Sequence, residues 1–110
     1  ENRPMSGFVT VAKLNDLPEN DLKGLIVDGV AIVLINRDGV IYALEDSCSH
    51  EEFPLSAGDL VGCEITCSLH GARFDIETGV PRALPAVLPV RTFEVQVEGD
   101  DIKVNLTEAA

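Results

Sequence analysis

Hydrophobic residues in this chain occur in short runs or at every second position, and both patterns predict β-strands. Residues 30–35 are apolar throughout, as expected for a strand that is buried on both faces. The turn-forming sequence Asn-Arg-Asp-Gly follows at 36–39, and a second apolar run occupies 40–44. These two runs therefore predict a β-hairpin.

A second hairpin is predicted near the C-terminus. Phe93, Val95 and Val97 alternate with polar residues, which indicates one half-buried strand. The dipeptide Gly-Asp at 99–100 would turn the chain, and apolar residues then alternate with polar ones again up to Leu106.

Weaker strand signals occur at Phe8–Lys13, 25–27 and Glu64–Thr66. The only helical signal lies at 15–21, where the sequence predicts one short turn with Asp16 as its N-cap. Many short strands separated by glycine and proline turns are typical of a small antiparallel sandwich or barrel. The expected fold class is therefore all-β.

Three stretches interrupt the strand pattern, at 46–59, 67–72 and 80–88. The first two contain both histidines and two of the three cysteines, and the third contains Pro81 and Pro85. Because loops on a rigid β scaffold commonly carry binding residues, we expect the functional site here.

The composition narrows the class of protein. A length of 110 residues, of which 45% are hydrophobic and 25% charged, predicts one folded domain spanning 1–110. The net charge of −11 argues against binding to nucleic acid or anionic membranes and favours a basic partner surface. An odd number of cysteines fits poorly with a disulfide-stapled secreted domain, so a cytoplasmic location is expected.

Two mixed pairs carry the candidate chemistry: Cys48-Ser-His50 and Cys67-Ser-Leu-His70, with 16 residues between them. Thiolates and imidazoles suit zinc or an iron–sulfur cluster rather than magnesium or calcium. A single Cys or His is more often a packing residue, but packing does not explain two pairs that include every histidine. A structural zinc module stays open as an alternative, although zinc sites usually pair Cys with Cys and His with His.

The two pairs match the Cys-x-His and Cys-x-x-His signature of Rieske [2Fe–2S] proteins, and the similarity extends further. Residues 55–62 (Leu-Ser-Ala-Gly-Asp-Leu-Val-Gly), 70–74 (His-Gly-Ala-Arg-Phe) and the proline-bearing segment 79–89 resemble the small Rieske ferredoxins of bacterial aromatic-ring dioxygenase systems. The resemblance is to the biphenyl, naphthalene and carbazole type and covers roughly residues 8–106.

That resemblance implies a Rieske-type sandwich or barrel holding one [2Fe–2S] cluster. It assigns Cys48 and Cys67 to one iron, and His50 and His70 to the other. It also implies a cluster-binding subdomain of two loops, with a proline loop covering it. The two loops would lie at about 46–59 and 67–74, and the proline loop at about 79–89.

The resemblance further implies a low reduction potential. Rieske centres span about −150 to +300 mV. High-potential members have a disulfide and hydroxyl donors at the positions where this chain has Phe53, Leu69, Ala72 and Phe74. Because fewer hydrogen bonds leave the charge of the reduced cluster less stabilised, we expect a value near the low end.

The implied function is a one-electron carrier rather than an enzyme. Both histidines belong to the predicted cluster, so none is left for a catalytic iron held by two His and one carboxylate. The implied partners are an NAD(P)H-dependent ferredoxin reductase and a terminal oxygenase, and the chain itself is expected to be monomeric. A Rieske subunit of another oxidoreductase, such as a nitrite reductase, is a further alternative.

An acidic stretch is predicted to steer these encounters. Between Arg37 and Arg73 the chain has seven acidic residues and no Lys or Arg, which predicts an acidic face for transient, salt-sensitive docking. The third cysteine, Cys63, lies in a predicted turn and is expected to have no ligand role. The seven acidic residues are Asp38, Glu45, Asp46, Glu51, Glu52, Asp59 and Glu64.

Overall fold

The computed structural model describes residues 8–46, 54–67, 73–83 and 90–106. These residues form eleven strands and two short 3₁₀ helices, η1 and η2. In chain order the elements are β1 (Phe8–Lys13), η1 (Leu14–Asp16), β2 (Asp21–Val27), β3 (Val30–Arg37), β4 (Val40–Glu45), η2 (Leu55–Ala57), β5 (Asp59–Val61), β6 (Glu64–Thr66), β7 (Arg73–Asp75), β8 (Pro81–Ala83), β9 (Thr92–Phe93), β10 (Val95–Glu98) and β11 (Asp101–Asn105).

The strands pair into three antiparallel sheets, which confirms the predicted all-β class. One sheet has the order β1-β11-β10, a second has the order β2-β3-β4-β9, and a third has the order β5-β6-β7-β8. Each strand in the third sheet has only three residues. This short-stranded sheet adjoins all three segments predicted to form the metal site.

Strand β3 lies between two hydrophobic clusters and explains the continuous apolar run. Val33 and Ile35 pack in the same cluster as residues of the third sheet. Ile32 and Leu34, on the opposite face, pack in the cluster that includes Ile102 of β11. Because successive strand side chains point to opposite faces, a strand that lies between two clusters is apolar on both faces where it is buried, as β3 is from Ile32 to Ile35.

The hairpin of β3 and β4 forms as predicted, and its turn is tighter than the sequence indicated. Arg37 pairs with Val40, so only Asp38 and Gly39 lie between the strands, with φ of 55° and 92°. Positive φ at both central residues is the type I′ geometry that Asp-Gly favours. Asn36 is not a turn residue but a buried residue of β3.

The prediction of a single strand from 93 to 98 is wrong. Phe93 ends β9 and pairs with β4 in the second sheet, whereas Val95 begins β10 and pairs with β11 in the first. The chain crosses between sheets at Glu94, so the alternation spans two strands. Val97 is 44% exposed, since it lies toward the end of the β10–β11 hairpin and beyond the core.

The helical turn is also misplaced in the prediction. Helix η1 begins directly after β1, with Lys13 as its N-cap, and Asp16 is its third residue. The Asp16 carboxylate accepts a hydrogen bond from the Lys13 backbone amide at 3.3 Å, so it acts from inside the turn. The turn starts this early because Leu14 N donates to the Asp100 carbonyl at 2.8 Å, and Leu17 then enters the core. Within the described ranges, no helix is long and apolar enough to cross a membrane.

Candidate metal centre

Three segments fall between the described ranges: the first segment (47–53), the second segment (68–72) and the third segment (84–89). Three of the four predicted ligands, Cys48, His50 and His70, belong to the first two segments and lie outside the described residues. The ligand set therefore stays a prediction. The described residues show how the ends of these segments are held together.

Cys67, the fourth predicted ligand, directly follows β6 and is 1% exposed. It belongs to the cluster that includes Ile65, Phe74 and Val90. Ile65 and Cys67 are two residues apart, so both side chains point to the same buried face of the strand. The thiol therefore lies in apolar surroundings at the point where the second segment begins.

The ends of the first segment are joined by a pair of hydrogen bonds. Oδ1 of Asp46 accepts from the Ser56 backbone amide, and Oδ2 accepts from the Ser56 hydroxyl, both at 2.7 Å. The Asp46 amide donates to the Ala31 carbonyl on β3 at 3.0 Å. Both ends of the segment are thus attached to the second sheet.

The second segment starts and ends on paired strands. Thr66 of β6 pairs with Arg73 of β7. The third sheet therefore holds the two residues that lie on either side of Cys67 and the second segment. Gly58, which follows η2, approaches the Thr66 carbonyl so closely that a Cβ at this position would lie 1.6 Å from the oxygen. This contact places the return from the first segment against the start of the second.

The third segment is held at both ends as well. Ala83 pairs with Arg73, and Val90 N donates to the Gly79 carbonyl at 3.0 Å. Beyond Val90, the Arg91 carbonyl accepts from Glu45 N at 2.8 Å, which connects this end to the start of the first segment. All three segments therefore begin and end in one region of the molecule.

A half-buried carboxylate stabilises the turn that precedes β8 and the third segment. The side chain of Asp75, 17% exposed, accepts hydrogen bonds from the amides of Glu77 and Thr78 and from Arg82. Burial alone would raise the pKa of Asp75, but the bonds from Thr78, Arg82 and Glu77 hold that pKa below its usual value of 3.8. The carboxylate is therefore ionised at neutral pH and fixes the Arg82 side chain.

The predicted loop boundaries need correction. Residues 81–83 of the expected proline loop form strand β8, in which Pro81 pairs with Phe74 at the edge of the third sheet. An edge strand tolerates proline because its outer side needs no ladder hydrogen bond. The first predicted loop likewise contains η2 and the start of β5. The rest of the predicted proline loop, at 84–89, lies outside the described residues.

The described framework fits an iron–sulfur cluster. Cys67 presents a soft sulfur donor from a buried site, which suits such a cluster better than a hard cation. Within the described ranges no group of three metal-ligating side chains occurs, as expected when three predicted ligands belong to the segments outside them. Cys63 is exposed and lies in the β5–β6 turn, as predicted. It precedes β6, whereas Cys67 follows that strand.

Sequence reasoning assigned no structural role to the pair that joins the first segment. The sequence places Asp46 in the acidic stretch and Ser56 in the segment that resembles the family, and both residues in the first predicted loop. One sequence feature could have indicated this pair: an acidic residue that follows a strand and a serine ten residues later can bond to each other across the ends of the loop between them.

Known proteins resemble this chain over most of its length. The Rieske [2Fe-2S] domain family matches residues 7–94. The ferredoxin component of biphenyl 2,3-dioxygenase from Rhodococcus jostii (strain RHA1) is 45% identical over 75 residues, which cover 68% of this chain and 70% of that protein.

Two solved structures share the fold. The ferredoxin of carbazole 1,9a-dioxygenase from Nocardioides aromaticivorans IC177 superposes with a TM-score of 0.86 at 40% identity, covering 90% of this chain and 97% of that one. A chain in the complex of reduced oxygenase and oxidized ferredoxin in carbazole 1,9a-dioxygenase gives a TM-score of 0.85 at 29% identity, covering 89% and 92% respectively.

The chain belongs to the Rieske [2Fe–2S] family, and its relatives are ferredoxin components of dioxygenase systems. Membership confirms the predicted cofactor, one Rieske-type [2Fe–2S] cluster. It also confirms the predicted class, since these relatives are electron-transfer components rather than enzymes in their own right.

Proposed function

We propose that this chain carries single electrons from an NAD(P)H-dependent ferredoxin reductase to the terminal oxygenase of an aromatic-ring dioxygenase system. The observation that carries the proposal is the match of 90% of the chain to 97% of a carbazole dioxygenase ferredoxin. A similar ferredoxin in complex with its oxygenase supports the choice of electron acceptor. The reductase is inferred from the carrier's need for a donor.

The proposed ligands are Cys48 and Cys67 on one iron, and His50 and His70 on the other. When bound, the cluster supplies a one-electron redox centre whose histidine ligands raise its potential above that of a four-cysteine cluster. The apolar residues around Cys67 exclude water from one side of the site. The hydrogen bonds at the ends of the three segments keep the ligand-bearing loops in place.

For the acidic docking face, we propose a smaller set of carboxylates than the seven in the sequence. Within the described ranges, the Asp46 carboxylate is hydrogen-bonded to Ser56. The Glu64 carboxylate forms an ion pair with Arg73, with 3.5 Å between its oxygen and the guanidinium nitrogen. Glu45 and Asp59 have no ion pair among the described residues, so they support the proposal of an acidic docking face. A basic partner surface would meet carboxylates that are not already neutralised.

The compartment and chain organisation are part of the same proposal. We infer a single monomeric domain over 1–110 that functions in the cytoplasm. A reducing compartment suits the exposed Cys63 thiol and the two proposed thiolate ligands.

The composition of the purified protein tests the cofactor and its ligands. We expect iron and acid-labile sulfide in equal amounts without zinc, and a reduced-state EPR spectrum of the Rieske type. Zinc without sulfide would instead indicate the structural module, and co-purification with a large flavin or haem subunit would indicate another oxidoreductase. A four-cysteine EPR spectrum would contradict the histidine ligands.

Cysteine variants test the ligand set with a matched control. Cys67→Ser should remove iron and sulfide together, whereas Cys63→Ser makes the same chemical change on an exposed thiol and should retain both. Far-UV circular dichroism of both variants separates loss of the ligand from loss of the fold. Retention of a full cluster in Cys67→Ser would exclude Cys67 from the set.

Electron-transfer rates test the partners and the docking face. With a ferredoxin reductase and a terminal oxygenase supplied separately, the chain should be required for electron flow between them. The rate at limiting carrier should fall as ionic strength rises from about 0.01 to 0.15 M, where the Debye length shortens from about 30 to 8 Å. A rate insensitive to salt would contradict acidic docking without affecting the assignment of the carrier.

A further inference from the structure

We propose that Asp46 is a positioning residue for the metal centre, acting through a clasp formed by Asp46, Ser56 and Gly24. The clasp joins the two ends of the chain that carries Cys48 and His50, and it places Asp46 and Ser56 against Gly24 of β2. The inference rests on the proposed ligand set, because both of those ligands lie between Asp46 and Ser56.

Both oxygens of the Asp46 carboxylate accept hydrogen bonds from the same residue, Ser56. The Asp46–Ser56 contacts are 2.7 Å each and join residues ten positions apart, so the chain from 46 to 56 forms a closed ring. Hydrogen bonds to a charged acceptor are roughly twice as strong as those between neutral groups. The Asp46 amide bonded to Ala31 fixes the ring to the second sheet.

Gly24 makes room for this pair. A Cβ on Gly24 would lie 2.5 Å from the Ser56 Oγ, 2.8 Å from the Ser56 Cβ and 2.9 Å from the Asp46 Oδ2. The Gly24 backbone is not in the left-handed region, so its conformation does not require glycine. A glycine inside a strand is destabilising relative to alanine, and the close approach of the clasp accounts for its presence here.

Closure of the ring should slow loss of the metal. A loop with free ends samples many conformations, and most of these separate its ligands from the second segment. Because both ends are fixed on β2 and β3, the proposed ligands between them should sample fewer conformations. Partners that orient metal ligands are typically worth 10–100-fold in affinity, so an effect at the lower end of that range is expected for a clasp acting through the backbone.

The test measures the rate of iron loss from the holoprotein to an excess of chelator. Asp46→Ala should lose iron about tenfold faster than the wild type, and Ser56→Ala should show a smaller increase because the backbone bond remains. Gly24→Ala should also accelerate loss, because its Cβ pushes the pair apart. Ser56→Ala is the mildest change and gives a result even if Asp46→Ala does not fold.

Two controls separate the geometry of the clasp from its charge. Asp46→Asn can accept from the Ser56 amide through Oδ1 and donate to the Ser56 hydroxyl through Nδ2, so it keeps the ring closed and should lose iron much more slowly than Asp46→Ala. Asp21→Asn removes an exposed carboxylate of β2 that accepts from the Leu22 amide and has no bond to Ser56, so it should leave the rate unchanged. Exchange of the Ser56 amide hydrogen should be fast in Asp46→Ala and slow in Asp46→Asn.

The outcomes distinguish this proposal from the proposed function. A wild-type protein without iron and sulfide would overturn both. A wild-type protein with a Rieske cluster, together with unchanged iron loss in Asp46→Ala and Ser56→Ala, would overturn the clasp alone. Equally fast loss from Asp46→Asn and Asp46→Ala would also overturn it, because charge rather than closure would then be responsible.

Discussion

The α-carbon of Gly58 faces the carbonyl group of Thr66 at a distance that no larger residue allows. A Cβ on Gly58 would lie 1.6 Å from the Thr66 oxygen and 2.8 Å from its carbonyl carbon. Thr66 directly precedes Cys67, and Gly58 follows the helix that ends the return from the first segment. This backbone contact therefore holds the chain that returns from the first segment against the strand that ends at Thr66.

Gly58→Ala should destabilise the protein and disturb the site together. Both contacting atoms belong to the backbone, so the clash is relieved only by moving η2 or β6, and we expect a loss of about 3 kcal/mol. Urea unfolding of the apoprotein measures this loss, and iron content measures the effect on the site. Gly99→Ala is the control, because Gly99 has φ of 63° but no atom within 4 Å of the added Cβ, so it should lose only about 1 kcal/mol. Equal losses in the two variants would contradict the steric role of Gly58.

The reduction potential should lie near the low end of the Rieske range and should rise in Phe74→Tyr. Phe74 is fully buried in the same cluster as Cys67, and its ring has no hydroxyl that could donate to a ligand sulfur. A tyrosine hydroxyl that donates there would favour the reduced form by about 1 kcal/mol, which corresponds to about 40 mV for one electron. Protein-film voltammetry at neutral pH measures both values.

The control for this prediction is Phe93→Tyr, in the cluster on the other face of the second sheet. It adds the same hydroxyl away from Cys67 and should leave the potential unchanged. A clearly positive potential in the wild type would contradict the expected range. Equal shifts in the two variants would show that the hydroxyl does not act through the ligand sulfur.

Structure that depends on neighbouring residues could be predicted from the sequence, whereas structure that depends on the choice of a distant partner could not. The hairpin of β3 and β4 could be predicted because burial on two faces and an Asp-Gly turn both leave local signals. The crossing at Glu94 could not be predicted, because the apolar alternation continues while the pairing partner changes from β4 to β11.

The proposed metal site also has a part that the sequence predicts and a part that it does not. The spacing of Cys and His identified the family because ligand chemistry restricts residue types at fixed positions. The clasp of Asp46 and Ser56 is a contact between residues ten positions apart, and its need for Gly24 arises from a third strand. Such contacts depend on tertiary packing, so neither periodicity nor motif spacing reveals them.

The hydrogen bonds of Asp75 should make stability fall in acid. The folded-state pKa of Asp75 lies below its ordinary value of 3.8, so its contribution is complete above about pH 4 and is lost as the pH falls through the folded pKa. Asp75→Asn should lose about 1–2 kcal/mol at pH 7, and its difference from the wild type should shrink as the pH falls below 3.8. Urea unfolding at several pH values measures both, with Glu77→Gln, an exposed change in the same turn, as the control. A constant difference across this range would show that Asp75 does not stabilise the fold as a carboxylate.

Asn36 should be the polar residue whose replacement most weakens the β3–β4 hairpin. It is 7% exposed, its Nδ2 donates to the Leu17 carbonyl, and its Oδ1 accepts from the Gly39 amide, both at 2.9 Å. Asn36→Leu would leave a buried carbonyl and a turn amide without these partners, so we expect a loss of about 2–3 kcal/mol. Asn15→Leu makes the same change at an exposed position and should cost less than about 0.5 kcal/mol. Urea unfolding of both variants decides the point, and a similar small loss in each would mean that the two bonds of Asn36 contribute little to stability.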